Sequence, residues 1–97
     1  MSPVDDLASL RRSIDNIDTA VVALLGERFS LTEKVGLIKA EYGMPAEDMN
    51  REREQQAKYA QLASNHHLTA ETVSKVMDTI ISLVKVRHAE LLAAKRG

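Results

Sequence analysis

Apolar side chains recur at alternating spacings of three and four residues along the first part of the chain. They are Leu7, Leu10, Ile14, Ile17, Val21, Leu24, Leu31, Val35 and Ile38. This spacing places them on one face of an α-helix. Ser2 suits the N-cap of that helix and Pro3 its first position, whereas Gly43 and Pro45 are typical of a helix end. The sequence therefore predicts one helix from about residue 3 to about residue 42.

Two shorter helices are predicted after the first one. The second helix begins at Glu47 or Asp48 and continues to about Ala63, with a weak apolar face. Residues 65–68 form a connector, and Thr69 suits the N-cap of a third helix that ends among basic residues at the C-terminus. The buried face of the third helix is predicted to consist of Val73, Val76, Met77, Ile80, Val84 and Leu91. This pattern predicts an all-α fold of three helices.

The first helix is too long for a compact domain of this size. A helix over residues 3–42 spans roughly 60 Å, whereas a domain of about 100 residues has a radius of gyration near 13 Å. Two shorter helices cannot cover so long an apolar stripe from one side. We therefore expect residues 1–97 to form a single helical domain that shares its first helix with a second copy in a homodimer.

Composition narrows the classes of function. The chain has 13 basic and 14 acidic residues and a net charge of −1, which argues against nucleic acid or an anionic membrane as a partner. It has no cysteine, and His66 and His67 are adjacent on the connector with no third ligand at a suitable spacing, so we expect no metal. The sequence has no glycine-rich phosphate-binding loop that would indicate a cofactor. With no signal-peptide pattern and no long apolar run, we expect a cytoplasmic protein.

Cationic residues of the first helix suggest a site for an anion. Arg28 stands where the apolar pattern requires an apolar side chain, and Lys39 returns to within about 20° of the same face, about 16 Å further along. Arg11 lies about 25 Å from Arg28, so it would reach the same small ligand only from a second subunit. The alternatives are an Arg28 that extends to solvent at a helix edge and a solvated Arg11 beside Asp15.

The other two helices add polar candidates. Asp48, Arg51 and Glu52 share a face of the second helix, where ordinary surface ion pairs are the alternative interpretation. His88 lies on the apolar face of the third helix, where a hydrogen-bonded core histidine is the alternative to a catalytic one. The chain thus offers cations and hydrogen-bond donors but no evident nucleophile.

These charged positions and their neighbours resemble the all-helical class of chorismate mutases over about residues 4–92. The resemblance rests on four segments: Leu10-Arg11-x-x-Ile14-Asp15-x-x-Asp18, Leu24-Leu25-x-Glu27-Arg28, Val35-Gly36-x-x-Lys39 and Asp48-x-x-Arg51-Glu52. It implies a three-helix protomer in an intertwined homodimeric bundle that converts chorismate to prephenate without a cofactor. It also implies that Arg28, with Arg11 of the other subunit, holds the two carboxylates of the substrate. Lys39 would hold the enolpyruvyl carboxylate and approach the ether oxygen.

The resemblance extends to the second and third helices. Arg51 would support the carboxylate cluster, and Asp48 and Glu52 would contact the ring hydroxyl. Members of the class commonly carry a small hydroxyl residue and a glutamine or glutamate where this chain has Val84 and His88. We expect His88 to donate a hydrogen bond to the ether oxygen or a carboxylate from a neutral ring, because nearby cations disfavour its charged form.

Three alternatives remain at this point. Isochorismate-pyruvate lyase and a mutase of the 4-amino analogue of chorismate use a similar scaffold and a similar enolpyruvyl dicarboxylate. A non-catalytic helical dimer is the alternative from another class. It explains the long apolar stripe, but it does not explain Arg28 within that stripe or Lys39 on the same face.

Overall fold

The computed structural model describes residues 2–96, and in that range the chain forms three helices and no strand. Helix α1 comprises Pro3–Glu41, α2 comprises Met49–Asn65 and α3 comprises Ala70–Arg96. The predicted all-α fold is confirmed. None of these helices has a segment apolar and long enough to cross a membrane.

Each helix begins at a capping side chain, and for the first and third helices it is the residue that the sequence predicts. Ser2 Oγ accepts a hydrogen bond from the Asp5 N–H at 3.1 Å, and Asp48 Oδ1 accepts one from the Arg51 N–H at 3.0 Å. Thr69 Oγ1 accepts one from the N–H of Thr72 at 3.1 Å. These bonds satisfy amide donors that the first turn of a helix leaves unpaired.

The helix ends differ slightly from the prediction. Gly43 ends α1 in the left-handed conformation, with φ of 64°, and the Met44 N–H donates to the carbonyl of Lys39 at 2.8 Å. Glycine suits this position because it has no Cβ to clash. Asn65 belongs to α2 rather than to the connector. Within the connector, His67 has a positive φ of 58°.

Contacts divide the chain into two units, one ending at Leu31 and one beginning at Thr32. In the first unit, all residues from 2 to 24 are exposed. The exposed fractions of its apolar face are large, with 61% for Leu10 and 62% for Ile17. This face is therefore fully available for packing, and a single domain over residues 1–97 stays a prediction.

The second unit contains the end of α1 with α2 and α3, and its core is small. Only Gly36, Ala40, Ala63 and His88 are buried among its described residues. The predicted buried face of α3 is mostly half-buried, and Val76 is 56% exposed, which corrects that prediction. One 17-residue helix and the last turns of α1 offer too little surface to cover a helix of 27 residues.

Close packing of α1 on α3 depends on Gly36. A Cβ at this position would lie 2.6 Å from Cδ2 of His88 and 2.8 Å from Cδ1 of Leu91. Three residues before it, the Glu33 carboxylate accepts two hydrogen bonds from the Arg87 Nε, at 3.1 and 2.9 Å, and one from Nη2 at 2.7 Å. The glycine permits the close approach, and the ion pair fixes the register of the two helices.

Candidate functional site

A small cavity in the second unit brings together most of the polar residues that the sequence singles out there. Its volume is about 70 Å³. The lining residues are Lys39, Ala46, Asp48, Arg51, Glu52, Gln55, Ile81, Lys85 and His88. Three of these side chains are basic and two are acidic, apart from the histidine, so the lining carries a net positive charge. Such a lining favours an anionic ligand.

Lys39 is the cation of this cavity that α1 supplies. Its side chain is half-buried, and Nζ donates to the backbone carbonyl of Ala46 at 3.3 Å. No ion pair of Lys39 occurs among residues 2–96. The Lys39 ammonium group therefore keeps its charge available for a ligand.

Asp48 and Arg51 lie at the first turn of α2. One carboxylate oxygen of Asp48 caps the helix through the backbone of Arg51, and this accounts for the i, i+3 spacing of the two residues. The Arg51 guanidinium forms no ion pair with Asp48 or Glu52 in the described part of the chain. The alternative of ordinary surface ion pairs within this trio is therefore wrong.

Glu52 pairs across to α3 rather than along α2. Its Oε1 lies 2.5 Å from Nζ of Lys85, and Oε1 of Glu47 lies 3.8 Å from the same nitrogen. The hydrogen bond to Glu52 is the largest cause of a raised pKa at Lys85, with the charges of Glu52 and Glu47 adding to it. Lys85 is thus held in its charged form.

Sequence reasoning did not single out Lys85, although a signal exists. Lys85 lies four residues after Ile81 and three before His88, so the three share one face of α3. A cation on the face of a candidate site residue was therefore visible in the sequence. Its carboxylate partner was not, because Glu52 lies on another helix.

His88 is buried, with 6% of its surface exposed, and its Nε2 lies 2.8 Å from the backbone carbonyl of Thr32. A carbonyl only accepts hydrogen bonds, so Nε2 must carry the proton and donate. A neutral ring has a single N–H, and here Thr32 receives it. Nδ1 is the ring nitrogen that remains for a ligand, and the hydrogen bond from His88 to the substrate stays a prediction.

The other three predicted site residues do not line this cavity. Arg11 is exposed and Arg28 is half-buried, both in the first unit. Nη1 of Arg28 is buried and has no hydrogen-bond partner among the described residues. Val84 is half-buried and is not one of the described residues that line the small cavity.

A larger groove of about 520 Å³ lies between α2 and α3. It is lined by Met49, Glu52, Arg53, Gln56, Asp78, Ile81, Ser82 and Lys85. Its two basic and two acidic side chains balance, so the groove suits a doubly negative ligand less well than the small cavity does. Size alone therefore does not identify the site.

Comparisons with known proteins agree with this chemistry. A family model described as chorismate mutase type II matches residues 10–89. The chain is 29% identical to a chorismate mutase of Methanocaldococcus jannaschii over 89 residues, which cover 92% of this chain and 90% of that protein. It is 33% identical to a bifunctional chorismate mutase/prephenate dehydratase of Escherichia coli over 81 residues, which cover 84% of this chain and 21% of that protein. The aligned part thus spans nearly all of the first relative and about a fifth of the second.

Proposed function

Because the chain belongs to the chorismate mutase type II family, we propose that it rearranges chorismate to prephenate at a site built around the small cavity. The observation that carries this proposal is the excess of basic over acidic side chains in that cavity, with Lys39 and Arg51 free of carboxylate partners in the described chain. A doubly negative substrate would supply the acceptors that these cations lack.

The rearrangement needs positioning and electrostatic stabilisation rather than a nucleophile. A carbon–oxygen bond breaks while a carbon–carbon bond forms, and negative charge grows on the ether oxygen in the transition state. Lys39 holds the enolpyruvyl carboxylate and stabilises that charge, an effect often worth about 3 kcal/mol or more. Arg28 holds a carboxylate, and Arg51 supports the carboxylate cluster. These contacts keep the substrate in the compact chair-like form from which it reacts.

Three further residues complete the proposed substrate contacts. Asp48 and Glu52 contact the ring hydroxyl, whose single proton is donated to a carboxylate. Each of the two has one carboxylate oxygen already engaged, by the α2 backbone and by Lys85 respectively. His88 contacts the ether oxygen or a carboxylate through its second ring nitrogen, because its Nε2 is engaged by the carbonyl of Thr32. Val84 stays a prediction as an apolar contact to the substrate.

We further propose that the active form is an intertwined homodimer. Supporting it, the apolar face of α1 in the first unit is exposed along its length, and an apolar stripe of this length requires a partner. A cavity of about 70 Å³ is also small beside the 300 Å³ or more of typical ligand sites, so one chain offers an incomplete site. A second copy would contribute its own Arg11 to the substrate carboxylates.

The proposed reaction is tested by incubating the full chain separately with chorismate and with isochorismate. We expect the chain to form prephenate from chorismate. From isochorismate we expect neither pyruvate nor salicylate. Lys39→Ala should lower kcat/KM by at least a hundredfold, because it removes transition-state stabilisation. Release of salicylate would favour the lyase instead. A chain that acts on neither compound and shows no thermal shift with a bicyclic diacid would favour the non-catalytic dimer.

A cytoplasmic location and the absence of nucleic-acid partners stay predictions from the sequence.

A further inference from the structure

The ion pair of Glu52 and Lys85 lies on the border of two cavities. Both residues, together with Ile81, line the small cavity and also the larger groove between α2 and α3. Lys85 Nζ is 2.5 Å from Glu52 Oε1 but 3.8 Å from the Glu47 carboxylate. One close contact from α3 therefore holds the Glu52 carboxylate between the two spaces.

We propose that Lys85 is a positioning residue that holds Oε1 of Glu52 and so leaves Oε2 as the acceptor for the hydroxyl on the substrate ring. This inference rests on the proposed function, which gives Glu52 its contact with that hydroxyl. Lys85 itself does not touch the substrate. Its contribution is to select one orientation of a carboxylate that has two spaces open to it.

Burial explains why Glu52 needs such a partner. The Glu52 side chain is 24% exposed, and its Oε1 atom is shielded from water. A shielded carboxylate oxygen that loses its cation also lacks hydration, which is unfavourable. Among the described residues, Lys85 is the only cation paired with Glu52. Without it, the carboxylate would regain water by turning toward the 520 Å³ groove and away from the small cavity.

Direct binding of a substrate carboxylate is a weaker role for Lys85. Its ammonium group already faces two carboxylates, Glu52 and Glu47. The Lys39 ammonium, in contrast, bonds to a backbone carbonyl and to no carboxylate among residues 2–96. A dianion entering the small cavity would gain more from Lys39, because its charge is not neutralised by a neighbour.

The test compares two probes on the full chain. One is a bicyclic dicarboxylate that mimics the chair-like transition state and carries the ring hydroxyl. The other is the same compound with a hydrogen atom instead of that hydroxyl. Lys85→Met should weaken binding of the hydroxylated probe about tenfold, and of the other less than twofold, because only the first bonds to Glu52. Lys85→Arg should restore the affinity, since arginine also pairs with Glu52. Lys75→Met is the matched control: it removes an exposed ion pair with Glu71 on the same helix and should change neither affinity.

A double-mutant cycle separates an indirect from a direct role. In a Glu52→Gln background, Lys85→Met should have no further effect on either probe. Further loss in that background, or equal weakening of both probes, would overturn the proposal and show direct contact with a carboxylate. Unchanged affinity of Lys85→Met for the hydroxylated probe would also overturn it. A wild-type chain that binds neither probe contradicts the proposed function itself, whereas wild-type binding with an unaffected Lys85→Met contradicts only the role of Lys85.

Discussion

At the scale of single residues, His88 combines a structural and a chemical role. Its ring is buried, bonds to the carbonyl of Thr32 and lies against Gly36, where no Cβ would fit. The sequence presents a core histidine and a catalytic histidine as alternatives. The structure establishes the structural half, because one ring nitrogen is committed to the backbone. The chemical half, a contact of the other ring nitrogen with the substrate, stays a proposal.

His88→Ala should therefore lower stability as well as activity. Loss of a buried ring and its hydrogen bond is expected to lower the free energy of unfolding by about 2 to 4 kcal/mol, whereas a purely catalytic residue would leave it almost unchanged. Chemical denaturation and steady-state kinetics on the same samples measure both effects. His88→Gln serves as a control, since glutamine keeps a donor and should retain more of kcat than alanine does. If kcat is unchanged in folded His88→Ala, His88 does not belong to the site.

At the scale of elements, α2 is the helix that carries the polar residues of the site, and its first turn depends on Asp48. This carboxylate caps the helix and is also a proposed contact for the ring hydroxyl. The register of Arg51 and Glu52 on α2 follows from where the helix begins. A change at Asp48 therefore affects the fold and the site together.

Two substitutions at Asp48 separate capping from charge. Asp48→Ala removes the cap and should lower the free energy of unfolding by about 1 kcal/mol, whereas Asp48→Asn keeps an oxygen acceptor and should be close to neutral. Thr69→Ala removes the cap of α3, away from the cavity, and should cost stability with little change in kcat/KM. Thermal melts and kinetics check both. An Asp48→Asn variant as unstable as Asp48→Ala would argue against capping as the source of the effect.

The ion pair of Glu33 and Arg87, which joins α1 to α3, predicts a pH dependence of stability. The hydrogen bonds that the Glu33 carboxylate accepts from Arg87 lower the pKa of Glu33 below the ordinary value of 4.5. The stabilisation is therefore complete above pH 4.5 and is lost as the pH falls through the lowered pKa.

Glu33→Gln should have a lower Tm than the wild type at pH 7, and this difference should shrink below pH 4.5. Melting curves from pH 7 to pH 3 measure it. Glu71→Gln is the control, since it breaks an exposed i, i+4 pair with Lys75 that contributes little. A difference that stays constant with pH would contradict an electrostatic origin.

At the scale of the whole molecule, the proposed homodimer concerns the long apolar face of α1. All its residues from 4 to 24 are exposed, including the apolar ones. An isolated amphipathic helix of this length gains most of its stability from packing. The proposed homodimer would bury this face and also bring Arg11 of one subunit to the site of the other.

Mixing two inactive variants tests this arrangement. Arg11→Ala and Lys39→Ala should each be nearly inactive as homodimers. After unfolding and refolding together, about half of the dimers combine one chain of each kind, and about a quarter of all sites should be intact if Arg11 acts across the interface. Recovered activity near this fraction supports the proposal, whereas no recovery indicates that Arg11 acts within its own chain or not at all. Sedimentation of the wild type should show a dimer. The double variant Leu10→Glu/Ile17→Glu should sediment as a monomer.

Local patterns in the sequence carry most of the fold. The caps at Ser2 and Thr69 are confirmed, because capping depends on residues within one turn of each other. The spacing of Lys39, Asp48, Arg51, Glu52 and His88 also identifies five of the residues that line the small cavity. The buried face of α3 is less well predicted, since burial depends on what packs against a helix rather than on the helix alone.

The sequence by itself determined three helices and their approximate limits, the family resemblance and the cationic character of the site, because these follow from spacing and residue type along the chain. Only the tertiary structure decided which cations are free and which are neutralised. The pairing of Glu52 with Lys85, the bond of His88 to Thr32 and the fit of Gly36 against α3 each join residues more than thirty positions apart. Such contacts depend on how helices pack, and helical periodicity carries no information on which residues of another helix they meet.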